Sequence, residues 1–178
     1  MNFSGNNKNH RLEFQDLMLF RVHEILLVSS SYDAYILEED GRLTEQILHG
    51  YLGMNISYAP RLWHAQTAEH ALNMIEKHKF DLIIIMLRIS DMNSVSLAKK
   101  IKKTYPKTSL FLLAFDESEL TVFRENEIQN FFDRVFIWSG NSNVFLAIIK
   151  QLEDRKNSPR DINRGEVRAI IFIEDSPR

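Results

Sequence analysis

The sequence contains no cysteine and only 6 glycines and 4 prolines among its 178 residues. Without cysteine, the chain cannot form disulfide bonds, thiolate zinc sites or a cysteine nucleophile. This absence fits a reducing compartment, and we expect the protein to reside in the cytoplasm. The glycines form neither G-x-G-x-x-G nor G-x-x-x-x-G-K-[ST], which argues against nucleotide binding by a standard phosphate loop.

Positive charge is not in excess, because 22 lysines and arginines face 24 aspartates and glutamates, giving a formal net charge of -2. With no global positive field to hold a phosphate backbone, nucleic acid is not an expected partner.

Long apolar runs are also lacking: "LIIIML" is far shorter than the roughly 18 residues that span a bilayer. The first ten residues lack the apolar core of a signal peptide, so we expect no membrane partner either.

What the chain does contain is a repeated alternation of short apolar segments and helical patterns, with 44% hydrophobic residues overall. Continuous apolar runs of this length are typical of strands buried on both faces of a parallel sheet. The strands are predicted at residues 23–30, 56–65, 80–87, 109–115 and 133–138. The helices are predicted at residues 36–52, with a kink or split at Asp40-Gly41, and at 68–78 with Thr67 as N-cap, 94–106, 117–126 and 141–154.

This alternation predicts one α/β domain over residues 22–154, a flavodoxin-like doubly wound sheet of five parallel strands in the order 2-1-3-4-5. Residues 1–21 are expected to form an N-terminal tail with an accessory helix at 11–20. In this strand order the functional crevice lies at the carboxyl ends of strands one and three. Those ends are Ser29 and Ser30 on the first strand and Met86 on the third.

Two stretches, "EILLVSSSYDAYIL" and "FDLIIIMLRISDMNSVSLAKKIKK", give the chain a resemblance to the receiver domain of bacterial two-component response regulators. The resemblance implies an acidic pair, a phosphoacceptor aspartate, a Thr or Ser and a lysine at the ends of strands one, three, four and five. In this sequence those positions hold, in the same order, Ser29 and Ser30, Met86, Leu113 or Ala114, and Trp138. The resemblance therefore identifies a receiver whose phosphorylation site is degenerate at every one of these positions.

The chemistry of each replacement points to a silent site. A thioether cannot form an acyl phosphate, and two hydroxyls with a methionine provide no charge for Mg²⁺. We therefore expect no metal and no cofactor. Four nearby carboxylates are candidates for a substitute acceptor: Asp33, Asp40, Asp91 and Asp116. Asp91 is predicted instead to cap the helix that follows it.

Other residues have simple interpretations as well. The serines at 29–31 lack a G-x-S-x-G elbow and lack a histidine or acid placed by sequence to activate them, so turn residues are favoured over a hydrolase nucleophile. His64, His70 and His78 lack metal-ligand spacing. The lysines of "AKKIKKTYPK" predict a solvated helix face, with an acidic partner as the lesser alternative. Trp138 is interpreted as core, or else as an anchor for a partner.

The C-terminal end contains a second signal. After a polar linker that starts at residue 155, "VRAIIFIEDSPR" resembles "VHEILLVSSSYD", with Glu174 and Asp175 at the positions of Ser29 and Ser30. Residues 155–178 are therefore expected to be a linker and the first strand of a second receiver-like domain. We expect the chain to be a piece of a longer protein, with residues 168–174 adding to a sheet edge or packing between two chains.

These observations lead to one functional hypothesis and one alternative. The hypothesis is a pseudo-receiver, a non-catalytic module of signal transduction that binds protein partners, including other domains of a longer chain, and forms a homodimer. The expected binding surface surrounds strands four and five and the last helix. The alternative is a small-ligand binder or enzyme that uses the crevice at Ser29, Ser30 and Met86.

Overall fold

The structure is a computed structural model, and it describes residues 19–39, 42–53, 58–121, 125–138 and 143–165. Apart from Leu19 and Phe20, the accessory helix predicted at residues 11–20 lies outside these ranges. The second receiver-like strand with Glu174 and Asp175 lies outside them as well.

The elements follow the predicted alternation of strands and helices. The strands are β1 (Glu24–Val28), β2 (Arg61–Ala65), β3 (Leu82–Met86), β4 (Ser109–Ala114) and β5 (Arg134–Ile137). The helices are α1 (Ser31–Glu39), α2 (Leu43–Gly53), α3 (Ala68–Lys77), α4 (Ser94–Thr104), α5 (Glu117–Leu120), α6 (Glu125–Phe131) and α7 (Asn143–Gly165).

The five strands form one parallel sheet in the order β2-β1-β3-β4-β5, which confirms the predicted fold. All residues of β3 and β4 are buried, because these strands lie inside the sheet and helices cover both of its faces. The edge strands β2 and β5 are partly exposed, and Pro60 directly precedes β2, where no ladder hydrogen bond is lost.

Alternate strand residues divide the core into two clusters. Ile84 of β3 lies in the cluster covered by α1, α2 and α7, and Ile83 lies in the cluster covered by α3, α4 and α6. This two-residue period explains why the central strands read as unbroken apolar runs: both faces of each strand are covered.

Several helices differ from the predicted boundaries. The helix predicted at 36–52 is divided into α1 and α2, and Arg42, directly before α2, has a φ of 44°, a left-handed conformation that does not belong to a right-handed helix. Two leucines of α2 are exposed: Leu48 and Leu52. The single helix predicted at 117–126 is replaced by α5 and α6.

The last helix is longer than predicted, because α7 continues to Gly165 although it contains Pro159. Residues 155–165, which were predicted to belong to a polar linker, are part of this helix. Two polar side chains of α7 are buried, with Glu153 0% and Asn157 6% exposed. A hydrophobic pattern does not reveal such residues, and the sequence therefore suggests an early end to the helix.

Glu153 and Asn157, which we call the α7 anchor, hold the segment that leads into β1. Asn157 Oδ1 accepts a hydrogen bond from Phe20 N at 2.9 Å, and its Nδ2 donates to Phe20 O at 2.8 Å. Glu153 Oε1 accepts from Val22 N at 3.0 Å. The backbone groups of this segment thus find their partners on α7 rather than in the sheet.

The buried charge of Glu153 is compensated locally. Lys150 Nζ donates to Glu153 Oε2 at 2.7 Å, and the Tyr51 hydroxyl donates to Oε1 at 3.2 Å. Lys150 Nζ also lies 4.9 Å from the centre of the Tyr51 ring. Burial and the negative charge of Glu153 raise the pKa of Tyr51, so this hydroxyl stays a donor. A buried carboxylate is tolerated here because it is paired and hydrogen-bonded.

Candidate functional site

The residues predicted to form the crevice come together at the carboxyl edge of the sheet. Ser29 follows β1 and its amide donates to Ala65 O at 3.1 Å. Met86 ends β3 opposite Leu113 of β4. Trp138 follows β5, and its amide donates to Ala114 O at 2.8 Å. The parallel strands therefore place all the predicted positions along one edge.

Three of these side chains fill the space between them. Met86, Leu113 and Trp138 belong to one core cluster and are 1%, 0% and 6% exposed. Phe115 packs edge-on against Trp138, with ring centres 5.2 Å apart. Within the described ranges, the Trp138 Nε1 atom is buried without a hydrogen-bond partner. The edge is thus closed by apolar packing around Met86, Leu113 and Trp138.

The structure brings His64 to Ser29, a pairing that sequence reasoning missed. His64 Nε2 lies 3.0 Å from Ser29 Oγ and 3.2 Å from Ser29 O. A carbonyl oxygen only accepts, so Nε2 carries the proton and donates to both oxygens. The Ser29 hydroxyl then donates to Ser30 O at 3.2 Å. The contact depends on the pairing of β1 with β2, which places His64 beside Leu27. A hydrophobic pattern does not predict this register, so the sequence did not reveal the contact.

This assignment does not favour a serine nucleophile. The Ser29 side chain is fully buried, and its proton is directed at Ser30 O rather than at the imidazole. In the part of the chain that the structure describes, the contacts of the His64 ring nitrogens are with Ser29 and include no carboxylate. A nucleophilic pair would need the opposite proton arrangement and a group to orient the histidine.

Ser30 is engaged in helix capping. Its Oγ accepts a hydrogen bond from Asp33 N at 3.1 Å, at the start of α1. This is an ordinary role for a serine directly before a helix. Both hydroxyls at the acidic-pair positions are therefore satisfied within the protein.

Asp91 corrects one prediction. It was expected to cap the following helix, α4, but the N-cap of α4 is Asn93. Asp91 instead accepts hydrogen bonds from Ala68 N at 2.7 Å and Glu69 N at 3.0 Å, in the first turn of α3. The bond from the Ala68 amide is the main cause that lowers the pKa of Asp91. The carboxylate thus links the loop after β3 to the first turn of α3.

The other carboxylates considered as substitute acceptors have different surroundings. Asp116 caps α5 by accepting from Ser118 N at 2.6 Å, and this bond lowers its pKa. Asp33 is 2% exposed, and its Oδ2 has no hydrogen-bond partner among the described residues. Asp40 lies outside the described ranges. Asp33 thus differs from Asp91 and Asp116, whose carboxylates accept hydrogen bonds from backbone amides.

Acidic and histidine side chains do not converge in the described ranges: no group of three His, Asp or Glu residues could hold a metal ion there.

The predicted lysine face is largely solvated, although Lys102 is half-buried and donates to Asp133 Oδ2 and Thr108 O, both at 2.9 Å. The helices in these ranges include none with the length and apolarity needed to cross a membrane.

Solved structures show what this fold is similar to. A signal receiver domain of an HD domain-containing protein from Pseudomonas fluorescens is 22% identical with a TM-score of 0.58, and the match covers 80% of this chain and 95% of that one. A CheY-like receiver domain from Methanospirillum hungatei is 24% identical with a TM-score of 0.56, over 78% and 98% of the two chains.

The response regulator TrrA from Thermotoga maritima, solved in complex with Mg²⁺ and a beryllofluoride, is 19% identical with a TM-score of 0.55, over 73% and 98% of the two chains. No protein-family model matches the sequence, and no curated protein matches it either. The structural neighbours are thus response regulator receiver domains, and the likeness extends to the CheY-like fold.

Proposed function

We propose that this protein is a pseudo-receiver, a regulatory module of signal transduction that acts by binding other proteins and does not accept a phosphoryl group. The receiver fold supports the signalling role. The observation that carries the proposal is Met86: it ends the central strand β3, where the phosphoacceptor is expected, and it is 1% exposed.

The surroundings of Met86 support the same proposal. Phosphoryl transfer to a receiver needs a carboxylate nucleophile, a cation that neutralises the transferring group and donors for its oxygens. Met86 and Leu113 provide none of these. Trp138 lies in the same cluster, so the side chain at this position provides an aromatic ring and not an ammonium group. Ser29 and Ser30 are uncharged, and Mg²⁺ favours carboxylate oxygens.

The test is incubation of the full chain with Mg²⁺ and either acetyl phosphate or beryllofluoride, followed by intact mass spectrometry and calorimetry. We expect no mass increase and no heat of binding, while a receiver domain with an intact site, treated in parallel, takes up one phosphoryl group. Stoichiometric uptake would overturn the proposal, and peptide mapping would then show which of the four candidates is the acceptor: Asp33, Asp40, Asp91 or Asp116.

A repaired variant sharpens this test. We expect Met86→Asp alone to remain unphosphorylated, because Ser29 and Ser30 still provide no charge for Mg²⁺. We also expect it to lose roughly 3 kcal/mol or more of unfolding free energy, since a carboxylate replaces a buried apolar side chain. Met86→Leu is the matched control, with an expected loss under about 1.5 kcal/mol. Phosphorylation of the Met86→Asp protein would contradict the proposal that Ser29 and Ser30 cannot support Mg²⁺ binding and phosphoryl transfer.

The proposed partners are proteins, bound through the surface around β4, β5 and α7. The edge strand β5 is short, and its first two residues, Arg134 and Val135, are exposed. An edge strand with free backbone groups and an exposed apolar side chain suits pairing with another chain. The alternative of a ligand or enzyme site at the crevice gains no support, because Ser29 and Met86 are closed off from solvent.

A further inference from the structure

A second concave site lies at the opposite edge of the sheet, where β3 and β4 begin. This amino-end cavity has a volume of about 530 Å³, within the range typical of small-molecule sites. Two turns form most of it: residues 78–81 before β3 and residues 104–108 before β4. Phe20 and Lys156 complete the wall.

Aromatic rings line the cavity and are already packed in place. Phe80 and Tyr105 are half-buried in its wall, and Ile83 forms a fully buried part of the lining. The His78 ring lies 6.4 Å from the Phe80 ring and stacks on Trp63 with ring centres 5.1 Å apart. A planar apolar group could therefore be bound with little rearrangement of these side chains.

The charge of the rim is positive. The lining includes Lys79, Lys107 and Lys156, and its acidic member is Asp81. The Asp81 carboxylate is already engaged, because its Oδ2 accepts from His23 N at 2.8 Å and Glu24 N at 3.0 Å.

In the ranges that the structure describes, none of these three lysines forms an ion pair with an acid. Lys156 Nζ lies 6.0 Å from the centre of the Phe20 ring. Ammonium groups beside an aromatic wall complement a ligand with a flat apolar body and a negative end.

The geometry points to the amino-end cavity as a binding site for a small aromatic acid, with its ring against Phe80 and Tyr105 and its carboxylate or phosphate at Lys79 and Lys107. This site is separate from the crevice at Ser29 and Met86, and the inference holds whether or not that crevice can be phosphorylated. A ligand bound here would act on the protein from the edge of the sheet opposite to Ser29 and Met86.

The test uses three naphthalene compounds with the full chain: naphthylacetate, naphthyl phosphate and the neutral naphthylacetamide. Affinities are measured by calorimetry, and sites are mapped by amide chemical shifts in NMR spectra. We expect shifts concentrated at residues 79–83 and 104–109. We expect at least one of the two anions to bind about tenfold more tightly than the amide, which corresponds to one charge-assisted contact. The anion that binds more tightly identifies the acidic group.

Two double variants distinguish binding of the anion by Lys79 and Lys107 from a general effect of the protein's positive charge on affinity. Lys79→Gln with Lys107→Gln should abolish the preference for the anions while leaving the affinity for the amide unchanged. Lys100→Gln with Lys103→Gln removes the same charge from exposed positions outside the cavity and should leave the preference intact. The proposal is overturned by equal binding of anions and amide to the unaltered protein, by shifts elsewhere, or by no shifts at millimolar ligand.

Discussion

At the scale of single residues, Trp138 shows how the crevice is closed. It lies against Phe115, and its Nε1 atom has no partner in the described ranges. A buried donor without a partner costs about 1–3 kcal/mol. Trp138 therefore stabilises this edge through the size and shape of its ring, and its polar atom detracts from that stabilisation.

Two substitutions of Trp138 should destabilise the protein to different extents. Trp138→Phe loses volume but removes the unpartnered donor, so we expect the free energy of unfolding to fall by less than about 2 kcal/mol. Trp138→Lys places an ammonium group in a buried apolar position and should cost roughly 3 kcal/mol or more. Urea unfolding followed by circular dichroism measures both. Equal stability of the lysine variant and the unaltered protein would contradict an apolar crevice.

Much of the residue-level description of this edge was predictable, and the reason is geometric. Once the strand ends are known, parallel strands must bring Ser29, Met86, Leu113 and Trp138 to one edge. Contacts that depend on strand register or on loop geometry were not predictable. His64 reaches Ser29 through the β1–β2 register, and Asp91 crosses to a helix that precedes it in the chain.

At the scale of elements, Asp91 determines how α3 begins. Thr67 is the N-cap, as predicted, and its side chain accepts from His70 N. Asp91 satisfies two more amides of the same helix, those of Ala68 and Glu69. The first turn of α3 therefore depends on a residue from the loop after β3.

Substitution of Asp91 should change both stability and its pH dependence. The hydrogen bond from Ala68 holds the folded-state pKa of Asp91 below that of the unfolded chain. The stabilisation is therefore present above about pH 4 and is lost as the pH falls through the lowered folded-state value. We expect Asp91→Ala to cost about 1 kcal/mol at neutral pH and less in acid.

Urea unfolding at neutral pH and near pH 2 would measure this difference. The matched control is Asp154→Ala, which removes an exposed carboxylate that forms no ion pair within the described ranges. A loss of stability with Asp91→Ala that is as large in acid as at neutral pH would show that the carboxylate charge is not the cause.

The α7 anchor gives a second prediction for elements. Asn157→Ala leaves Phe20 N and Phe20 O without their side-chain partner, and we expect a loss of about 2 kcal/mol in unfolding free energy. The Phe20 amide should also exchange its hydrogen faster. Asp161→Ala, at an exposed position of the same helix, should change stability by less than about 0.5 kcal/mol. Unchanged exchange at Phe20 would rule out the anchoring role.

The length of α7 was not predictable for a related reason. Buried polar residues look like surface residues in a sequence, and Pro159 looks like a helix end. Strands β1, β3 and β4 were predictable because burial on both faces demands unbroken apolar runs.

At the scale of the whole molecule, the exposed edge of β5 predicts self-association. We expect the protein to dimerise through β5 of two copies, with Val135 at the contact, because a two-fold arrangement pairs the same edge with itself. Val135→Lys should shift the sedimentation equilibrium toward monomer by about tenfold or more in dissociation constant. Leu48→Lys, at another exposed apolar position, should leave it unchanged. A monomeric unaltered protein at all concentrations would refute this arrangement.

The α7 anchor also has a mechanical consequence. Because Glu153 and Asn157 bind the backbone at residues 20–22, three hydrogen bonds join the segment that leads into β1 to α7. A force applied to either of these two segments would be transmitted to the other through these bonds, without passing through the sheet. We therefore expect the segment before β1 and α7 to keep a fixed orientation relative to each other.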